Sequence, residues 1–162
     1  HFNHYFGMRT LIFRLSNGYG YPADRAVNRW TLVFNDLCRQ AVRDGRIVLK
    51  SSGRQYRDFI SLHDIARAVY HFVFEIPDHW GDGLYNLGGE CNLSILEVAE
   101  KVSKVYLQRY KREISEITVG SGTREEKSVS PFTFSIDKLK GTNFILRGDM
   151  EMEILKTMEV CE

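Results

Sequence analysis

An excess of charge of one sign is missing from this chain. Its 22 Lys and Arg stand against 21 Asp and Glu, for a formal net charge of +1. Nucleic-acid binders usually carry a strong basic surplus, so nucleic acid is not an expected partner. Long apolar runs are missing too. Leu11-Ile12-Phe13 and Ala68-Val69 are typical of those present, far short of the roughly 20 residues that a membrane-spanning helix needs. A membrane is therefore not an expected partner either, and no signal-peptide or lipidation pattern opens the sequence. Cysteine is scarce: Cys38, Cys91 and Cys161 are odd in number and far apart. Nothing in their spacing, or in that of His1, His4, His63, His71 and His79, resembles a metal site. Idle thiols suit a reducing compartment, which points to the cytoplasm. The opening residue is not Met. Phe2 to Phe6 read like the tail of a helix stopped at Gly7, because glycine tolerates the left-handed conformation found there. Residues upstream are therefore expected.

What is present is ordinary for one globular domain: 162 residues, 43% of them hydrophobic, are enough to bury a core. Thr10 to Ser16 is apolar except for Arg14, which predicts a parallel strand buried on both faces. Asn17-Gly18-Tyr19-Gly20-Tyr21-Pro22 follows as a turn-rich loop. Trp30, Val33, Phe34, Leu37, Cys38, Ala41 and Val42 recur at helical spacing up to Gly45. Short strands are predicted at Ile47 to Leu49 and Arg54 to Ile60. Ser61 with Asp64, and Ser94 with Glu97, have the spacing in which a hydroxyl caps a helix and an acid returns the bond. The stripes Ile65, Ala68, Val69, Phe72, Val73, Ile76 and Ile95, Val98, Ala99, Val102, Val105, Tyr106 follow them. Leu84 to Leu87, Ile117 to Val119 and Phe132 to Phe134 read as strands. Ile136 to Leu139 reads as one helical turn, and Met150 to Val160 as a terminal helix. Gly120 to Ser130 is polar. The basic residues from Lys101 to Arg112 alternate with Glu97, Glu100 and Glu113, as on a solvated helix face.

Two stretches carry more than local structure. Arg14-Leu15-Ser16-Asn17-Gly18-Tyr19-Gly20-Tyr21-Pro22 resembles the Arg-x-Phe/Ser-Asn-x-Tyr-Gly-Pro signature of extended short-chain dehydrogenases/reductases, with one extra residue, Tyr21, before the proline. About forty residues later, Gly53-Arg54-Gln55-Tyr56-Arg57-Asp58-Phe59-Ile60 and then Asp64 resemble that family's Gly-x-x-x-Arg-Asp-Phe/Tyr-Ile-x-x-x-Asp stretch. Tyr85-Asn86-Leu87-Gly88 and the helix from Ser94 follow in the family's order. The resemblance covers residues 1–105, with a looser likeness at Ser135 to Leu139.

The resemblance implies an α/β fold: a fragment of a doubly wound, Rossmann-like parallel sheet, with late strands and a small mixed substrate-binding lobe. It implies that residues 1–162 are the C-terminal portion of a nicotinamide-dependent nucleotide-sugar epimerase or dehydratase. Asn17 and Arg57 are then expected to bind the substrate diphosphate, where a guanidinium can make two parallel charge-assisted hydrogen bonds. Arg124 is a weaker candidate for the same ligand, and the nucleoside is expected near Trp30 to Asn35. Tyr19 and Asp64 read as structural, a packing aromatic and a helix-start carboxylate. The family's Gly-x-x-Gly-x-x-Gly turn and its Tyr-x-x-x-Lys pair are not in this sequence. NAD or NADP is thus expected in the complete, homodimeric enzyme but not on this portion, and catalysis requires the N-terminal half. Two rival readings are a non-catalytic nucleotide-sugar module and a family reductase acting on a non-sugar carbonyl.

Overall fold

The computed structural model describes residues 7–24, 26, 29–120 and 130–162. Among the described residues, seven short strands form three sheets. β1 (Ile12–Leu15) pairs in parallel with β5 (Leu84–Leu87). β4 (Tyr56–Ser61) lies between β2 (Asn17–Tyr19), which is parallel to it, and β6 (Asn92–Ser94), which is antiparallel. β3 (Ile47–Leu49) pairs in parallel with β7 (Ile117–Val119). β1 and β2 are almost one strand. The Ser16 amide still donates to Leu87 O at 2.9 Å. At Asn17 the chain leaves β5 and joins β4, so the polar loop begins at a change of sheet, the kind of place where α/β proteins gather ligands.

Helices cover these sheets. α1 (Val33–Asp44) buries Phe34, Leu37, Cys38 and Ala41, the expected face, and ends at Gly45 in the left-handed region with φ 61°. It starts three residues later than the Trp30 periodicity suggests. α3 (Ile95–Tyr110) packs beside it, and α5 (Met150–Cys161) packs against both. Together they enclose one core cluster with Tyr19, Ile47, Leu49 and Phe59. A second cluster lies under α2 (Leu62–Tyr70), which continues as a π-helical turn (His71–Glu75). There Phe72 meets Phe13, Tyr85 and His71, with Ile136, Leu139 and Phe144 alongside.

The capping box at α3 forms as its spacing predicts: the Glu97 amide donates to Ser94 Oγ at 3.1 Å, and the Ser94 amide donates to Glu97 Oε2 at 2.7 Å. Ser94→Ala should therefore lower stability by about 1 kcal/mol, the usual cost of losing a helix cap. Thermal unfolding would check it, and a melting temperature equal to the parent's would show that the cap contributes nothing.

Four expectations need correction. β1 is parallel as predicted but not buried: Ile12 and Leu15 are each about half exposed, because β5 covers one edge and no described strand lies on the other. Phe132 to Phe134 is not a strand. It runs past β6, where Asn92 Nδ2 donates to Phe132 O. Of the stripe on α2, Ala68 and Phe72 are buried, but Val69 and Val73 face outward beside a Tyr70–Phe74 ring contact of 4.9 Å. Ser61 Oγ accepts from the Asp64 amide at 3.0 Å, yet the Asp64 carboxylate does not return the bond. It turns instead to the segment ahead of α5. The remaining single turn is α4 (Asp137–Lys140), one residue beyond its expected start. Lys104 and Arg109 of the basic stretch on α3 pair with Glu151 and Glu162 of α5 rather than with solvent alone.

Candidate functional site

Asn17 and Arg57 are set by the same sheet. Asn17 pairs with Phe59 across β2 and β4, and side chains two residues apart on a strand share a face. Arg57, two residues before Phe59, therefore rises from the same face as Asn17. A strand rise of ~3.3 Å and a strand spacing of ~4.8 Å put their Cα atoms roughly 8 Å apart. Both side chains are exposed. Asn17 Nδ2 donates to the Asp58 carbonyl at 3.1 Å, which ties the loop to β4 and uses one of the two N–H groups of the amide. Arg57 Nη1 donates to its neighbour's carbonyl, Tyr56 O, at 3.2 Å.

The two acids of the same motif, Asp58 and Asp64, are occupied elsewhere. Asp58 is 2% exposed, and its carboxylate accepts the Gly89 amide at 2.9 Å and the Cys91 amide at 3.1 Å. This bracing requires glycine at 89, since a Cβ there would fall 1.8 Å from Phe59 O. Asp64, also 2% exposed, accepts Arg67 Nη1 at 2.8 Å, the Arg147 amide at 3.0 Å and the Gly148 amide at 2.7 Å. Among the described residues, no carboxylate pairs with Arg57. A guanidinium on a braced strand without an acidic partner keeps its donors for a ligand.

Arg124 lies outside the described residues. The chain on either side of its segment is described. Gly120 N donates to Leu49 O at the end of β3, and Phe132 O accepts from Asn92 on β6. β6 is the strand that holds Leu93 opposite Arg57. Tyr19 packs against Phe34 and Phe59 with centroids 5.1 and 6.5 Å away, and burial pushes its phenol pKa up, in keeping with a packing role. Cys38 is fully buried, and burial raises its thiol pKa likewise.

A cavity of about 790 Å³ lies at the other end of β4. Gly18 to Ala23, Leu62, His63, Arg147, Met152, Glu153 and Lys156 contribute to its wall; Asn17 and Arg57 do not. Of the stretch expected beside a nucleoside, Leu32 and Asn35 border it. Nothing in the apolar spacing points to Glu153 or Lys156, which stand among other charged residues on the terminal helix. No pattern in the sequence distinguishes the buried acid, Glu153, from Glu151.

The junction of β4 with α2 does not have the form that cradles a dinucleotide. A pyrophosphate needs a glycine-rich strand-to-helix turn with free amides at the helix start. Here β4 enters α2 without a glycine, and Ser61 Oγ already takes the Asp64 amide. Among the described residues, no group of three His, Cys, Asp or Glu side chains is placed to hold a metal, and no helix is long and apolar enough to cross a membrane.

Solved structures share this arrangement. RMD from Pseudomonas aeruginosa, solved with NADPH, superposes with a TM-score of 0.74 at 17% identity over 99% of this chain and 50% of its own. UDP-N-acetylglucosamine 4-epimerase from Methanobrevibacter ruminantium M1, in complex with UDP-N-acetylmuramic acid, gives 0.72 at 20% identity over 98% and 48%. UDP-glucose 4-epimerase from Thermotoga maritima, with UDP-glucose, gives 0.71 at 17% identity over 98% and 48%. The chain thus has the α/β, Rossmann-type fold of these proteins and spans about half their length. The sequence profile of the NAD dependent epimerase/dehydratase family matches residues 1–88, and the chain belongs to that family. No curated protein matches the sequence.

Proposed function

We propose that residues 1–162 are the substrate-gripping, C-terminal portion of an NAD- or NADP-dependent nucleotide-sugar epimerase or dehydratase. The observation that carries this reading is Arg57: exposed, without an acidic partner among the described residues, and on the same sheet face as Asn17, where β1 ends and the chain changes sheet. A nucleotide sugar brings a diphosphate whose charge must be met on binding. Arg57 meets it with its planar fork, and Asn17 fixes its orientation. Arg124, which lies outside the described residues, is a weaker candidate for the same ligand. In this reading the complete enzyme oxidises a sugar carbon to a ketone with a nicotinamide cofactor, and then epimerises, eliminates or reduces. The cofactor, the Tyr-x-x-x-Lys pair and most of the parallel sheet belong to a portion outside residues 1–162. That portion covers the open edge of β1 and the apolar flank of Val69, Tyr70, Val73 and Phe74. The enzyme is a cytoplasmic homodimer.

Residues 1–162 alone should bind hydrophobic dye through that flank and should turn over no nucleotide sugar with NAD or NADP. Cofactor absorbance followed across a panel of UDP-, dTDP- and GDP-sugars tests this. Saturable cofactor reduction by the isolated chain would overturn the division of labour.

A further inference from the structure

Glu153 is 9% exposed and lines the 790 Å³ cavity, yet no hydrogen bond or ion pair reaches its carboxylate among the described residues. Its backbone carbonyl takes the Thr157 hydroxyl at 2.7 Å, but its side chain takes no described donor. Gly20 lies against it with φ 140°, and a Cβ at Gly20 would fall 2.9 Å from Glu153 Oε2. Only glycine lets the loop pass so close to the acid. A carboxylate with no described donor keeps its acceptor capacity for a ligand. This one is aimed into an open space large enough for a small metabolite.

The rest of the wall defines what would fill that space. Arg29, Arg147 and Lys156 outnumber Glu153 and Asp149, and Asp149 already caps α5 through the Met152 amide at 3.1 Å. Such a wall disfavours a cationic ligand. It favours one with hydroxyl donors for Glu153 and an anionic group for the cations. Arg147 is well placed for the anion, because the Asp64 carboxylate fixes its backbone while its side chain stays exposed. Lys156 Nζ stands 5.1 Å over the Tyr21 ring, which offers an aromatic face to the C–H side of a sugar.

We propose that this cavity is a binding site for a small phosphorylated sugar, distinct from the Asn17–Arg57 face: vicinal hydroxyls donate to Glu153, and the phosphate meets Arg147 and Lys156. Leu62, at the cavity, is five residues along the chain from Arg57, and the intervening strand to Ser61 spans roughly 13 Å at ~3.3 Å per residue.

Ribose 5-phosphate titrated into the full-length protein, followed calorimetrically, tests the assignment. Saturable one-to-one binding is expected. Glu153→Gln should weaken it about tenfold or more, as for a hydrogen bond to a charged group, and Arg147→Ala should weaken it similarly. 2-Deoxyribose 5-phosphate should bind the parent more weakly and lose little further in Glu153→Gln, because the diol that the acid would grip is gone. Arg57→Ala should leave ribose 5-phosphate binding unchanged. Four results would overturn the proposal: no saturation at millimolar ligand, equal binding by Glu153→Gln, inorganic phosphate binding as tightly as the sugar phosphate, or displacement of ribose 5-phosphate by a nucleotide sugar. The last would make the cavity one end of the Asn17–Arg57 site.

Discussion

Asp64→Ala should destabilise the protein by about 3 kcal/mol, the largest loss expected from any single polar side chain described above. The carboxylate joins two elements. It sits in the first turn of α2, it pairs with Arg67 one turn later, and it accepts the Arg147 and Gly148 amides that lead into α5. Arg67 in turn donates to Ile145 O at 2.9 Å. Truncation strands two amide donors and a guanidinium together, and leaving donors without their acceptor costs more than the bonds themselves contribute. The full penalty of a buried charge pair is not expected, because the Arg67 side chain is 26% exposed and water can reach it. Asp64→Asn should recover part of the loss, since one amide oxygen still accepts. Urea unfolding would read both variants. If Asp64→Ala unfolds with the parent midpoint and slope, the carboxylate is not what fastens the approach to α5.

The helices and one strand pair were legible in the sequence for physical reasons that can be named. α1 announces itself by apolar spacing and ends on a left-handed glycine. α3 carries a complete capping box, and Leu84 to Leu87 is short, apolar and closed by Gly88-Gly89. β2 and β6 were not legible. Each is three residues long and has no β-branched residue, unlike Ile47–Leu49 and Ile117–Val119, and each pairs with β4 across some 30 to 40 residues of chain. The burial of β1 was misjudged because an apolar run reports what a strand is suited to, not which neighbours stand beside it. The π-helical turn at His71–Glu75 keeps helical apolar spacing, so nothing in the residue pattern distinguishes it from α-helix.

The candidate site was legible only in part. Asn17 and Arg57 stand out through the order of two motifs, and the register of β2 on β4 then places them on one face. Glu153 could not be found this way. Its burial depends on the Gly20 loop folding over it, a contact between residues more than a hundred positions apart.

The other large effect concerns binding. In the complete protein, Arg57→Ala should weaken nucleotide-sugar binding by about 2–4 kcal/mol if the diphosphate is largely desolvated, the range expected for removing one side of a charge-assisted bidentate pair. Arg57→Lys should recover only part, because an ammonium keeps the charge and loses the planar fork. Asn17→Ala should cost less, about 1–2 kcal/mol, since it removes a neutral donor and loosens a loop already tied to Asp58 O at 3.1 Å. Arg124→Ala should be near neutral. The fold should tolerate Arg57→Ala well, because the side chain is exposed and its one described hydrogen bond is to the carbonyl next door. A binding loss in that variant therefore reports on the ligand rather than on stability.

Calorimetric titration of the full-length protein and its Arg57→Ala variant, each with nucleotide sugar and separately with NAD, tests the central claim most directly. The account predicts a large loss of nucleotide-sugar affinity with NAD affinity unchanged, because the cofactor lies on a portion of the enzyme that Arg57 does not touch. Nucleotide-sugar affinity equal to the parent's would contradict it, and Arg57 would then be a solvated strand residue rather than the diphosphate contact.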